Sequence, residues 1–135
     1  MAVGNNAVIY GGSCWHPAVD ADIYVGFERG MKTNAQSRFF PIPDGAAPAD
    51  IEGFKDLVAW VSQQLDAGRK VHAGCAAGHG RTGTFLAALV ATRQASDDPI
   101  AYVRENYCPC AVETPAQVQF LVEHFGCKPA TPRYS

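Results

Sequence analysis

Apolar residues recur at helical spacing through one long stretch: Ile51, Phe54, Leu57, Val58, Val61 and Leu65. Steps of three and four place all six on one face. The pattern predicts an amphipathic helix that Asp50 can cap and Gly68 can stop. Residues 81–94 are rich in Ala and Leu, and Phe85, Leu86, Ala88 and Leu89 predict a helix buried on nearly every side. Asp98-Pro99 and Thr114-Pro115 each pair a capping side chain with a proline suited to the first helical position. They predict two more helices, the last running through Phe120, Leu121 and Phe125 to Gly126. Short apolar runs bounded by glycine or proline predict strands at 7–10 (stopped by Gly11-Gly12), 23–27 (ended by Gly30), 38–42 and 70–74. The tail KPATPRYS reads as frayed. Strands that precede and alternate with helices predict the α/β class. The expected architecture is one domain over residues 1–135, a small mainly parallel sheet flanked by helices. A glycine-rich loop joins a central strand to a helix.

Composition narrows the function. A chain of 135 residues that is 47% hydrophobic can bury a core, which excludes general disorder. A net charge of -2 gives no basic footprint for nucleic acid. MAVGNNAVIYGG has neither the basic region nor the long apolar run of a secretory signal, and no window reaches the length of a membrane span. A cytoplasmic protein with no membrane or nucleic-acid partner is expected. Five cysteines, Cys14, Cys75, Cys108, Cys110 and Cys127, form an odd set that does not suit a disulfide framework. The C-x-C pair at 108 and 110 lacks zinc-site spacing and a second ligand pair, so these two read as ordinary cysteines and no metal is expected.

The candidate chemistry lies in VHAGCAAGHGRTGT, residues 71–84. A glycine-rich turn from a strand into a helix directs several N–H groups into one cavity, where the helix end adds partial positive charge. The spacing fails for a nucleotide P-loop, and Arg81 stands where lysine would be needed. GHGRTG fits G-x-G-x-x-G, but the strand with an acidic end that should follow is replaced by SDDPIAYVRENY, which reads as helix. The remaining reading uses Cys75 and Arg81. A thiol beneath those N–H groups is held as thiolate, and the planar arginine fork can grip two phosphate oxygens. The backbone of Ala76, Ala77, Gly78, His79, Gly80 and Arg81 would hold the other oxygens, and Thr82 can hydrogen-bond the Cys75 sulfur.

Cys75-Ala76-Ala77-Gly78-His79-Gly80-Arg81-Thr82-Gly83 resembles the C-x-x-G-x-x-R-[ST]-G loop of the protein tyrosine phosphatase superfamily, above all its compact dual-specificity group. The likeness extends over about residues 38–125. GHGRTGTFLAALV and YVRENYCPCAVET are also similar to small phosphatases of bacteria and their phages. The resemblance implies a cysteine-dependent phosphatase that forms a phosphocysteine and needs no cofactor. Its partners would be phosphotyrosine, and also phosphoserine or phosphothreonine, of proteins or peptides, with phosphate or vanadate as binding anions. Asp44 lies thirty-one positions before Cys75 in a D-x-x-x-P run ending at Pro48, which makes it the general acid and then the base for water. Its other reading is a turn former before Gly45. Gln117 either places the attacking water or closes a capping box with Thr114.

His79 would touch substrate or face solvent. Glu113 would bond Arg81 or lie on the surface. Trp15 and His16 would line the cleft, against the plainer reading that Trp15 is buried on the sheet. One position departs from the family: Gly74 stands where histidine usually precedes the nucleophile. His72 shares that strand face but reads as a strand residue with a local hydrogen bond. Two alternatives stay open. One is a phosphate-binding pseudophosphatase. The other is a phosphatase for a phosphoinositide or an RNA 5′-end, which the lysine-free AAGHG and the modest charge disfavour.

Overall fold

The computed structural model describes residues 1–17, 19–29 and 38–133. In chain order the elements are β1 (Tyr10–Ser13), β2 (Ile23–Gly26), β3 (Arg38–Phe39), α1 (Ile51–Asp66), β4 (Val71–Cys75), α2 (Gly80–Arg93), α3 (Pro99–Asn106) and α4 (Pro115–Phe125). The α/β expectation holds. Four strands form one sheet in the order β1-β4-β2-β3, and every pairing is parallel. All strand C-termini therefore meet at one edge, and the glycine-rich loop leaves that edge from the central β4.

Helix ends follow their capping chemistry. The Asp50 carboxylate accepts from Gly53 N at 3.0 Å, and Asp98 caps α3. Thr114 and Gln117 complete a capping box for α4. Gly126 ends α4 in the left-handed conformation, as expected for a C-terminal glycine. All five residues of β4 are buried, and α2 is buried from Gly80 to Val90. Phe54 stands edge-on to Phe85 and Phe120 at centroid distances of 6.0 and 5.4 Å, and Phe85 meets Phe27 of the β2 end at 5.2 Å. This aromatic cluster fixes α1, α2 and α4 against the sheet. The loop thus grows from two of the most enclosed elements in the molecule.

Three expectations need correction. The first strand does not end at Gly11-Gly12 but runs through them to Ser13. Residues 1–9 instead fold back on themselves, with a bridge between Ala2 and Val8 and with the Met1 amino group donating to Ile9 O at 2.8 Å. Both glycines are needed inside the strand: Gly12 has φ +153°, which side-chain-bearing residues rarely adopt, and a Cβ on Gly11 would lie 2.8 Å from Tyr107 Cε1. The strand expected over 38–42 is regular only at Arg38–Phe39, since Pro41 and Pro43 have no N–H to donate. Bonds from Phe40 N to Gly26 O and Ile42 N to Phe27 O nevertheless carry this segment along β2. The tail is not frayed as far as Arg133, whose N–H donates to Glu113 O at 2.8 Å and whose Nε donates to Pro109 O at 2.9 Å. Gly30, expected to end a strand, lies outside the described residues. Among the described residues no helix is long and apolar enough to cross a membrane.

Candidate active site

Cys75 is the last residue of β4, 2% exposed, and its thiol accepts from Thr82 Oγ1 at 3.1 Å. The loop from Ala76 to His79 then turns into α2. Gly78 has φ +79°, and a Cβ there would lie 2.7 Å from the Gly12 backbone, so only glycine fits. His79 is the N-cap of α2 but makes no side-chain cap bond, and the first turn has no acidic residue. The unpaired N–H groups of an uncapped helix end favour an anion.

Arg81 is 4% exposed, and its guanidinium is held on one side by the protein. Nη1 donates to Ile42 O at 2.8 Å, and Nη2 donates to Glu28 Oε2 at 2.7 Å. Nε is buried without a partner. The edge formed by Nε and the second Nη2 hydrogen is therefore free for two phosphate oxygens. Arg81 holds the Glu28 carboxyl below the usual carboxylate range, with smaller help from the Arg29 and Ala76 N–H groups. Glu28 is the partner that sequence reading missed. Glu113, read as a partner of Arg81 or a surface residue, does not bond Arg81 and is half-buried: its carboxylate lies against Gly80, where a Cβ would be 2.6 Å from Oε1. Glu28 reaches Arg81 because it sits just past β2, beside β4 in the sheet, a proximity that 53 positions of separation conceal.

Asp44 Oδ1 lies 3.6 Å from Arg81 Nη2, and the Asp44 side chain is 88% exposed. Asp44, Glu28, Arg29, Pro41, Pro43 and Arg81 line an open cleft of about 390 Å³. The Asp44-Gly45 turn is tied down from α4, since Thr114 Oγ1 donates to Gly45 O at 2.7 Å. Gln117 is fully buried. Its Oε1 accepts from Glu113 N at 2.8 Å and Thr114 N at 3.2 Å, which turns Nε2 away. Nε2 has no partner and faces the loop, 3.0 Å from where a Cβ on Gly80 would be. The capping reading of Gln117 is seen directly, and its Nε2 is a buried donor without a partner.

The remaining candidates divide. His79 turns from the anion side to Cys108, with Nδ1 3.1 Å from Sγ. Trp15 is 48% exposed rather than buried against the sheet, and His16 is exposed with it. His72 is buried beside the Tyr24 ring, at a centroid distance of 6.0 Å, and burial lowers its pKa. Cys14, given no role from sequence, lies beside Cys75: its N–H donates to Cys75 O at 2.9 Å. Burial first, then the Cys75 charge, raise the Cys14 pKa. All five cysteines are free.

Comparisons agree with this geometry. A family model described as "Polymorphic toxin system, DSP-PTPase phosphatase" matches residues 24–95. An uncharacterized protein of Methanocaldococcus jannaschii is 42% identical over 86 residues, covering 64% of this chain and 57% of the relative. A second from that organism is 39% identical over 90 residues, covering 67% and 55%. The chain spans just over half the length of these relatives. The crystal structure of Tk-PTP in its active form is similar with a TM-score of 0.70 and 26% identity, over 79% of this chain and 80% of that one.

Proposed function

The chain belongs to the DSP-PTPase phosphatase family of polymorphic toxin systems, and on that premise we propose a cysteine-dependent hydrolysis of phosphate monoesters, with phosphotyrosine and also phosphoserine or phosphothreonine of proteins as substrates. The observation that carries the reading is that the loop holding Cys75 and Arg81 meets a separate turn holding Asp44, whose Oδ1 lies 3.6 Å from Arg81 Nη2. The phosphoryl group sits over the Cys75 sulfur, gripped by the free edge of Arg81 and by the N–H groups of the loop.

In the first step the Cys75 thiolate attacks phosphorus, the S–P bond forms and the P–O bond to the leaving group breaks. The leaving oxygen takes the Asp44 proton. In the second step water attacks phosphorus, its proton passes to the Asp44 carboxylate, and the S–P bond breaks to release phosphate. The Thr82 hydroxyl stabilises the departing thiolate, and Gln117 Nε2 is the donor that places the water. No step calls for a metal ion.

The test is hydrolysis of para-nitrophenyl phosphate in EDTA from pH 5 to 8. Cys75→Ser is expected to abolish turnover, and Asp44→Asn to lower kcat by about 10² to 10⁴. Phosphotyrosine, phosphoserine and phosphothreonine peptides then rank the substrates. Turnover that survives in Cys75→Ser overturns the mechanism. A wild type that binds vanadate without turnover is a phosphate-binding module instead.

A further inference from the structure

The back of the loop is held by a residue that carries no part in the chemistry above. Tyr107 is the C-cap of α3, and its hydroxyl donates to Gly78 O at 2.6 Å. The bare backbone of Gly11 makes room for the ring: a Cβ there would lie 2.8 Å from Tyr107 Cε1. Gly78 is pressed from its other side by Gly12. The end of α3, β1 and the loop therefore meet around one peptide. Gly74, whose missing side chain leaves no group of its own behind the nucleophile, could not carry one, since Gly12 and Cys14 backbone atoms occupy the space.

The carbonyl of Gly78 and the N–H of His79 belong to one planar trans peptide and point in opposite directions. A donor behind the carbonyl holds the N–H forward. It also polarises the amide, which strengthens that N–H as a donor to an anion. Burial, and then the nearby Cys75 and Cys108 charges, push the Tyr107 pKa up. The phenol thus keeps its proton throughout the working range.

We propose that Tyr107 is a positioning residue for the phosphate site, acting through the Gly78–His79 peptide. The inference rests on the phosphatase reading, but its test does not need turnover. Cys75 is alkylated with iodoacetate while inorganic phosphate is titrated, and modification of Cys75 is followed by peptide mass spectrometry. Wild type is compared with Tyr107→Phe and Tyr102→Phe. Tyr102 is the control: it lies on the same helix, and its hydroxyl donates to Ala2 O at 2.6 Å, away from the loop. The phosphate concentration that half-protects Cys75 is expected to rise roughly five- to tenfold in Tyr107→Phe, the loss of one good hydrogen bond. It should not change in Tyr102→Phe, while both variants lose similar thermal stability. Equal protection in wild type and Tyr107→Phe overturns the proposal, as does an equal shift in Tyr102→Phe. A wild type protected by phosphate but without turnover overturns only the enzymatic reading. A wild type that phosphate does not protect overturns both.

Discussion

Replacing Gly74 by alanine tests the claim that the glycine before the nucleophile is demanded by packing. In the β1–β4 register Gly74 stands opposite Gly12. A Cβ at 74 would lie 2.8 Å from Gly12 O, 2.9 Å from Cys14 N and 3.1 Å from Cys14 Cα. All three are backbone atoms, so no side chain can swing aside. Ordinary contact needs roughly another 0.5 Å, and β1 has to move off β4 to supply it. That movement strains the bond from Cys14 N to Cys75 O at the mouth of the loop. Overpacking of this kind costs about 1–3 kcal/mol. The reduced freedom of the unfolded chain returns about 0.4–1 kcal/mol. Mid-range values leave a net loss of about 1.3 kcal/mol, which lowers Tm by about 4–6 °C for a domain of this size. Thermal and urea unfolding of Gly74→Ala measure it. A variant that melts at or above wild type refutes the packing argument. Gly74→His is expected to be worse still, so restoring the family's usual residue would not improve turnover.

Two further substitutions probe the supports of Arg81 and Asp44. Glu28→Gln removes the charge that anchors Nη2, at a cost of about 2 kcal/mol near neutral pH, less than for a sealed pair because Glu28 is 23% exposed. Because Arg81 lowers the Glu28 pKa, this stability is fully present above the ordinary glutamate range and is lost as pH falls through the lower folded value. Urea unfolding of both proteins from pH 3 to 8 should show their difference shrink on acidification, and a pH-independent gap would reject the assignment. Thr114→Val removes both the bond to Gly45 O and the capping bond from Gln117 N. A loss of about 1 kcal/mol is expected. The fall in kcat should be larger for a poor leaving group such as phenyl phosphate than for para-nitrophenyl phosphate, if the tether serves Asp44 in its proposed role as acid. Equal falls on both esters would separate Thr114 from Asp44.

The parts legible in the sequence were those whose cause is local. The caps of α1, α3 and α4 are read from side chains within three residues of the helix start. The loop is legible because thiol, glycines, guanidinium and hydroxyl fall within nine consecutive positions, with strand and helix on either side. Asp44 was singled out by the family resemblance and its spacing from Cys75, and the fold brings it within 3.6 Å of Arg81.

What stayed hidden is set by the sheet. Gly11-Gly12 looks like a stop by local preference, yet the strand runs through them, because Gly12 takes φ +153° and the bare backbone of Gly11 admits the Tyr107 ring. Glu28 has nothing beside it to distinguish it from any charged residue after a strand. Its role arises only when β2 is placed next to β4, which carries it to Arg81. Tyr107 reaches Gly78 across 29 positions because α3, which it caps, packs against α2 at the end of the loop. The division has a physical basis. Groups that must act on one small anion can be carried by a single turn of chain, so their order is written in the sequence. The groups that hold that turn rigid have to come from neighbouring elements, since a loop cannot brace itself, and neighbourhood in a parallel sheet is not neighbourhood in the chain. Glu28, Gly74 and Tyr107 are therefore where substitution tests the fold and the chemistry together.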